Sequence, residues 1–541
     1  MMSWWVVRQA MVVVLGGLGV LAAVAAATVS PLWLVAAVPL LVTGAVGVRD
    51  VLQRRHSILR NYPILGHVRF LMEKIRPEVQ QYFVESNTDG TPYDRETRDL
   101  VYARAKGEED SEPFGTERDV NAVGYEFVTH SLRAFHAEGP IPRVTLGGPA
   151  CTQPYDIALL NVSAMSFGAL SGNAISALNG GAALGGFAHD TGEGAISPYH
   201  LEHGGDLIWE IGSGYFGCRT PDGQFDADSF AAKAAGATVK AISIKLSQGA
   251  KPGLGGVLPG SKVSQEIART RQVEVGQTVV SPPAHTAFDT PRGLIEFVER
   301  LRELSGGKPV GFKLCVGSRH EFLAICKAMV ERGSYPDFVI VDGSEGGTGA
   351  GPSEFEDHVG TPLTEGLVFV HNALVGAGVR RHVKIGASGK VASGIDIVKR
   401  ICQGADFTLA ARAMMFAIGC IQAQACHTNH CPVGVATQDP RRARALVVED
   451  KLVRVRNYQT QTVASAHQIV ASMGLQSFDQ LHPGLLNRRI DHRTTTSYAE
   501  LYEWLDHGQL LTSPPEAWLD DWELADPGDF GARVANRPKG F

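Results

Sequence analysis

Residues 310–347 read VGFKLCVGSRHEFLAICKAMVERGSYPDFVIVDGSEGG. The stretch opens on a short apolar run, Val310–Cys315, and passes into a helical pattern over Glu321–Arg332. It returns to a second apolar run, Phe338–Val341, closed by Asp342 and a glycine-rich turn. Strand, helix and strand in that order read as one parallel βαβ unit. The same alternation extends in both directions. Apolar runs at Ile157–Met165, Gly186–Asp190, Leu207–Gly212, Ala241–Leu246, Val383–Gly386 and Phe407–Ala411 bring the strands to eight, with further helices at Arg292–Glu303 and Gly394–Gln403. Eight alternations predict a (β/α)8 TIM barrel within an α/β chain. The competing arrangement is a doubly wound open sheet, and no GxGxxG opens the first βα turn to favour it.

Outward from the barrel, the text changes character. The chain has 541 residues, is 44% hydrophobic and carries a formal charge of −6, which argues against disorder and against a nucleic-acid surface. No residue from Ala10 to Val29, or from Pro31 to Val48, is charged, and Ser30-Pro31 supplies a turn between the runs. About 20 apolar residues cross a hydrocarbon core as a helix, so the first run suffices and the second is short but workable. Trp4, Trp5 and Trp33 suit the interfacial aromatic belts. Arg49, Arg54, Arg55 and Arg60 follow the second run, against Arg8 before the first, which predicts a two-pass protein of the cell membrane with its catalytic body cytoplasmic. A cleaved signal peptide is the rival reading, disfavoured by the length of the first run and the presence of a second. The expected divisions are a transmembrane hairpin at 1–48, a charged segment packing on the barrel at 49–150 with a solvated loop at Lys106–Glu112, the barrel at 151–440, and a helical segment and tail at 441–541.

A TIM barrel keeps its chemistry at the C-terminal ends of its strands. Those ends carry SAMSFGALS, HDTGEG, KLSQGAKPG, FKLC, VDGSEGGTGAG, GASGK and LAARA, polar and glycine-rich text that a barrel floor has no use for. Eight cysteines are too few for a disulfide scaffold in a chain of this length. Three of them, Cys420, Cys426 and Cys431, stand in C-x5-C-x4-C spacing within GCIQAQACHTNHCPVG. Thiolates at such spacing suit an iron–sulfur cluster. A zinc site on Cys426, His427, His430 and Cys431, or ordinary buried cysteines, fit the local spacing as well.

NVSAMSFGALS, TGEG, SIKLSQGAKPGLGGVLPG, SPPAH, GGTGA and CHTNHCPVGVATQDP follow one another over roughly residues 155–440. In kind and order they resemble the FMN-binding synthase domain of the glutamate synthase family. The resemblance implies a (β/α)8 barrel holding FMN, with a [3Fe–4S] cluster on Cys420, Cys426 and Cys431. It implies Glu193 and Lys245 as catalytic residues, and Lys251 and Arg271 as holders of a dicarboxylate substrate. For the flavin, Ser388, Gly389, Lys390, Ala411 and Arg412 sit where a phosphate would find backbone N–H groups and positive charge, at the last two strand ends. Ser163, Met165 and Ser166 would edge the ring, Gly347 of GGTGA would approach it, and Lys313, a charge inside a barrel, would meet its N1–C2=O side.

The implied reaction is reductive amination of 2-oxoglutarate, or a related oxo acid, to glutamate with ammonia and reduced FMN. An external electron donor, a ferredoxin or a reductase subunit, would feed the cluster. The large enzymes of the family begin with a glutaminase domain bearing an N-terminal cysteine, whereas the first cysteine here is Cys151, so ammonia is expected free or from a separate glutaminase. The family's GGQLPG segment reads GGVLPG, placing Val257 where a polar contact is expected. An amine in place of ammonia, giving an N-alkyl glutamate synthase, another membrane-associated FMN-dependent redox reaction, and a non-catalytic redox or assembly module are the alternatives; retention of Glu193, Lys245 and Arg271 argues against the last.

Overall fold

The computed structural model describes residues 4–531, with side chains from Ala10 onward, so the side chains of Trp4, Trp5 and Arg8 and the end of the tail lie outside the described residues. The chain divides into two compact units between Thr91 and Pro92. The segment 49–150 is therefore split, its first part belonging with the hairpin and its second with the barrel.

In the first unit, α1 (Trp4–Thr28) and α2 (Leu34–Leu52) pack against each other. A Cβ on Gly44 would lie 3.0 Å from the Cα of Gly16, so the backbones touch where both helices are glycine. The stretches Ala10–Thr28 and Pro31–Leu52 are long and apolar enough to cross a membrane. A short helix, α3 (Ser57–Asn61), and an exposed one, α4 (Gly66–Val79), follow.

In the second unit eight parallel strands close a barrel. They are β1 (Leu160–Val162), β2 (His189–Asp190), β3 (Leu207–Ile211), β4 (Val239–Lys245), β5 (Val310–Leu314), β6 (Phe338–Asp342), β7 (Lys384–Ser388) and β8 (Phe407–Ala410). The eight expected runs all reach the barrel, but the first is broken. Tyr155–Ile157 pairs antiparallel with Val144–Leu146 instead, and β1 starts after it. The reason lies in the floor. Leu146, Tyr155 and Ile157 join the inward-facing Ala188, Ile208, Ala241, Phe338, Ile340, Phe407 and Leu409 in one apolar plug.

Side chains on a strand alternate faces, so the inward positions recur every second residue. From Ala188, Ile208, Ala241 and Ile340 at the floor, the inward row therefore runs on to Asp190, Glu210, Lys245 and Asp342 at the mouth. The barrel is apolar below and charged above.

Outside the barrel, the helix Val448–Ser472 packs on Gly172–Gly185 and Arg95–Lys106. Glu126–Val128 pairs antiparallel with Leu486–Arg489, which tie the two flanking regions into a single sheet. The loop after Lys106 is exposed, with Asp110 reaching back 2.7 Å to Arg104.

Candidate active site

Two lysines stand side by side on neighbouring strands, Lys245 on β4 opposite Lys313 on β5. Each takes a different carboxylate. Lys245 pairs with Glu193 at 3.1 Å and donates to Gln248 Oε1 at 2.5 Å. Lys313 pairs with Glu210 of β3 at 3.1 Å, and both are almost fully buried. The sequence reading left Lys313 without a protein partner; Glu210 is that partner, and it went unnoticed inside the apolar run LIWEI. Burial alone would discharge Lys313, but Glu210, with Asp342 and Asp190 farther off, outweighs it and pushes its pKa far up. Asp190 is the surplus acid. Its Oδ1 accepts from Gly192 N at 3.0 Å, its Oδ2 meets no partner, and burial and the neighbouring Glu210 push its pKa well above the usual range.

Glu193 is the hub of the outer layer. Burial opposes its charge, but Lys245, then Arg271 and Lys251, hold its carboxyl below the usual range. Gly256 admits it: a Cβ there would fall 2.0 Å from Glu193 Oε1. Lys251 is buried and donates to Gly255 O at 3.0 Å, and burial lowers its pKa although Glu193 opposes the shift.

Arg271 ends the helix Gln265–Arg271. Its Nη2 donates to Ser166 Oγ at 3.1 Å and to Phe167 O at 2.9 Å, and the guanidinium lies 5.3 Å from the centroid of the Phe216 ring. Its Nε is buried without a partner, and burial pulls the pKa down to about 10 against the pull of Glu193. One more group was missed. His285 of SPPAH contacts the Lys245 carbonyl through Nε2 at 2.9 Å and Tyr215 Oη through Nδ1 at 3.1 Å. A carbonyl can only accept, so Nε2 carries the proton and Nδ1 accepts. Burial pushes this histidine down to about 4.

The phosphate-type residues gather at the ends of β1, β7 and β8. Ser163 Oγ meets Ser388 Oγ at 3.1 Å, and Ser163 N donates to Ala410 O, next to Ala411. Met165 is buried beside Gly192 of the Glu193 turn. Gly389 leads into Lys390, a lysine with φ of 49°, in the left-handed region that L-residues seldom adopt. Burial and then the charge of Arg412 lower the pKa of Lys390, so two cations share this corner. Arg412 donates to Glu345 O at 2.6 Å, lies 5.0 Å from the Tyr93 ring centroid and runs close beneath Gly347.

Cys420, Cys426 and Cys431 line one small apolar pocket with Met415, Pro432 and Val435. Burial pushes the Cys420 thiol up to about 12 and raises that of Cys426. Among the described residues no three Cys, His, Asp or Glu side chains gather as ligands of a single ion. The zinc set is not assembled, because His427 and His430 are exposed and do not line the pocket. Lys262, also buried, donates to Cys426 O at 2.8 Å and has no carboxylate partner among the described residues. A Cβ on Gly349 would lie 3.1 Å from Cys426 Cβ, so the loop carrying Gly347 and Gly349 touches Arg412 at one end and the cysteine pocket at the other.

The family described as the conserved region in glutamate synthase matches residues 151–476. The glutamate synthase large subunit-like protein YerD of Bacillus subtilis is 37% identical over 482 residues, covering 82% of this chain and 91% of that one. The archaeal-type glutamate synthase (NADPH) of Thermotoga neapolitana is 33% identical, over 59% of this chain and 60% of its own. The chloroplastic/mitochondrial ferredoxin-dependent glutamate synthase 1 of Arabidopsis thaliana is 34% identical, over 51% of this chain and 16% of its own. The chain thus spans nearly all of the Bacillus protein, under two thirds of the Thermotoga enzyme and a small part of the plant one.

Proposed function

This chain belongs to the glutamate synthase family, and from that premise we propose that it reductively aminates 2-oxoglutarate, or a closely related oxo acid, with FMN and a [3Fe–4S] cluster. The observation that carries the reading is the buried set around Arg271. Arg271, Lys251 and Lys245 all gather on Glu193, and the buried Arg271 Nε–H has no partner, so a carboxylate of the substrate has cations and a free donor to meet there.

The residues present fit both cofactors. Lys390 and Arg412 repel each other unless an anion such as the FMN phosphate lies between them. The buried Lys262, without a carboxylate partner among the described residues and beside the Cys426 and Cys431 thiols, suits a cluster whose thiolates bring negative charge. Bound FMN would supply the two-electron reduction and the cluster single-electron relay.

The chain's own groups then divide the remaining work. Arg271 and Lys251 orient the oxo acid, while Glu193, kept ionised by Lys245, accepts a proton at its carboxylate. Lys313, locked on Glu210, presents a permanent positive charge from the barrel interior. Electrons enter from an external donor, a ferredoxin or reductase subunit, and nitrogen as ammonia. The two apolar helices support a two-pass anchor with the body cytoplasmic.

Anaerobic reoxidation of the reduced, full-length protein by a panel of oxo acids with ammonia tests the reading. Arg271→Ala should keep flavin and cluster content and weaken oxo-acid-dependent reoxidation by about 2–5 kcal/mol, the scale for stranding one partner of a buried charge pair. Arg271→Lys should restore part of it. Unchanged kinetics in Arg271→Ala would move the substrate elsewhere. The oxidised cluster should give a low-temperature EPR signal that Cys426→Ser removes; stoichiometric zinc without iron would refute the cluster.

A further inference from the structure

The helix α4 turns its apolar side outward. At about 100° per residue, Leu65, Val68, Leu71, Met72, Ile75 and Val79 fall within an arc of about 120°. All six are exposed, the last five by 37–54% of their surface. The apolar residue of the opposite face is not: Phe70 packs edge-on against the His56 ring at 5.5 Å. The first unit has thus covered the one apolar residue on the polar side and left the stripe open.

Two further observations say what covers it. First, the start of α4 is tied to the end of the second apolar span. Asp50, buried in the last turn of α2, accepts from Ile64 N at 2.9 Å and from His67 Nε2 at 2.9 Å. The stripe therefore begins at the level where that span ends. Second, the charge is right. Residues 49–79 hold seven Lys or Arg against three Asp or Glu, a net +4 in a chain whose total is −6. Arg69 and Arg76 border one edge of the stripe and Lys74 the other; Glu73 pairs with Arg69 at 2.8 Å and Glu78 stands beside Lys74, which leaves the borders net basic, as on a helix lying in a lipid headgroup layer.

We propose that α4 rests on the surface of the membrane that the hairpin crosses, with its apolar stripe among acyl chains and its basic borders on anionic lipid headgroups. The inference rests on the two-pass reading above, and adds to it a third contact that fixes how the chain leaves the bilayer. The occupant is an anionic lipid surface rather than a protein groove, because basic borders and a continuous link to an apolar span accompany the open stripe.

The experiment uses the full-length chain in native membranes with a benzophenone amino acid placed at Leu71 or Ile75, or at Glu73 on the polar face. Irradiation at 71 and 75 should yield lipid adducts by mass spectrometry, and at 73 none. In vesicles the yield should rise several-fold when phosphatidylglycerol is added to phosphatidylcholine, and Arg69→Glu with Arg76→Glu should abolish that rise. Adducts from 71 and 75 to the chain's own barrel or to a second copy, or no adduct at all, would overturn the proposal. Carbonate washing separates the two readings. A chain that stays in the membrane while 71 and 75 give protein adducts refutes the surface helix alone. A chain that washes off yet gives lipid adducts refutes the hairpin and supports the helix.

Discussion

The mouth of the barrel and the first ninety residues break the rule of burial in opposite senses. In the mouth, charge is inside: Glu210, Lys313, Asp190 and Arg271 are all within a few per cent of complete burial. In the first unit, apolar surface is outside, from Val13 in α1 to Phe83 past α4, the latter 85% exposed. Neither pattern is stable against water alone. A buried charge must be paired or meet a ligand, and a continuous exposed apolar face must meet a non-aqueous partner. On the function and the anchor proposed above, the first departure is where a small polar substrate would enter and the second where the solvent itself would change. The two regions differ in a further respect: charges in the mouth come from several barrel strands and from the helix Gln265–Arg271, whereas the apolar text of the first unit is contiguous.

The comparison is broken most directly at Lys313. If the mouth buries charge by pairing it, Lys313→Met should strand Glu210 and destabilise the fold by about 3–5 kcal/mol, read by chemical denaturation. Adding Glu210→Gln should recover much of that loss, because the stranded charge is then gone. Asp190→Asn should be mild by contrast, since burial and Glu210 favour the protonated form of this acid with its unpartnered Oδ2, and the amide copies that form's shape. A silent Lys313→Met would mean that water reaches the interior and that the mouth is no exception to the burial rule.

That contrast also explains what the sequence could and could not reveal. SAMSFGALS, HDTGEG and KLSQGAKPG stand out because each places polar text directly after an apolar run, and the structure puts each at the C-terminal end of a barrel strand. Glu210 did not stand out, since a single charge in LIWEI looks like an interruption until the inward row is known; its spacing of two from Ile208 was the available signal. His285 was quoted within SPPAH but given no role, because its two partners, Tyr215 and the Lys245 carbonyl, lie 70 and 40 residues away. The break before β1 depends on a plug formed from five parts of the barrel, which no local pattern encodes. The sequence predicts the flanking regions as separate segments, and the pairing of Glu126–Val128 with Leu486–Arg489, which spans most of the chain, leaves no local signal. The contiguous text of the hairpin, by contrast, predicts both of its helices, with ends that differ by up to six residues: Trp4–Thr28 and Leu34–Leu52 against the runs Ala10–Val29 and Pro31–Val48.

A second test sharpens the comparison through pH. His285 is neutral in the folded mouth, its pKa pushed from 6.5 to about 4 by burial. The unfolded chain therefore binds a proton first as pH falls, and stability contributed by the neutral ring is full above about 6.5 and lost progressively down to about 4. The shift corresponds to roughly 3 kcal/mol. In the same window Glu193 adds little, because its depressed carboxyl is lost only below the ordinary carboxylate range. Unfolding free energies at pH 6.5 and 4.5 should differ more for the wild-type chain than for His285→Gln, which keeps the part of the slope owed to His189, His200 and His371, also lowered by burial. Equal slopes in both proteins would place the imidazole in contact with water.

The smallest expected effect is the most discriminating, because Val257 is where the two regions' rules meet. It is an apolar side chain, 39% exposed, that follows Gly256 in the chain at the edge of the charged mouth. Its position is fixed by neighbours on both sides: Gly256 is pressed against the Glu193 carboxylate, and Leu258 is buried on the opposite face of the same short strand. A glutamine there would bring one hydrogen-bonding group to the edge of the site without disturbing Glu193. A single added hydrogen bond contributes about 0.5–1.5 kcal/mol. Val257→Gln should therefore strengthen 2-oxoglutarate-dependent reoxidation relative to a less polar oxo acid by about two- to tenfold, with flavin content unchanged. If it shifts nothing while Arg271→Ala remains damaging, the substrate is gripped by the arginine but does not extend to this edge. If it instead weakens every oxo acid alike, the exposed valine is itself a binding surface, and the mouth prefers a substrate with an apolar end.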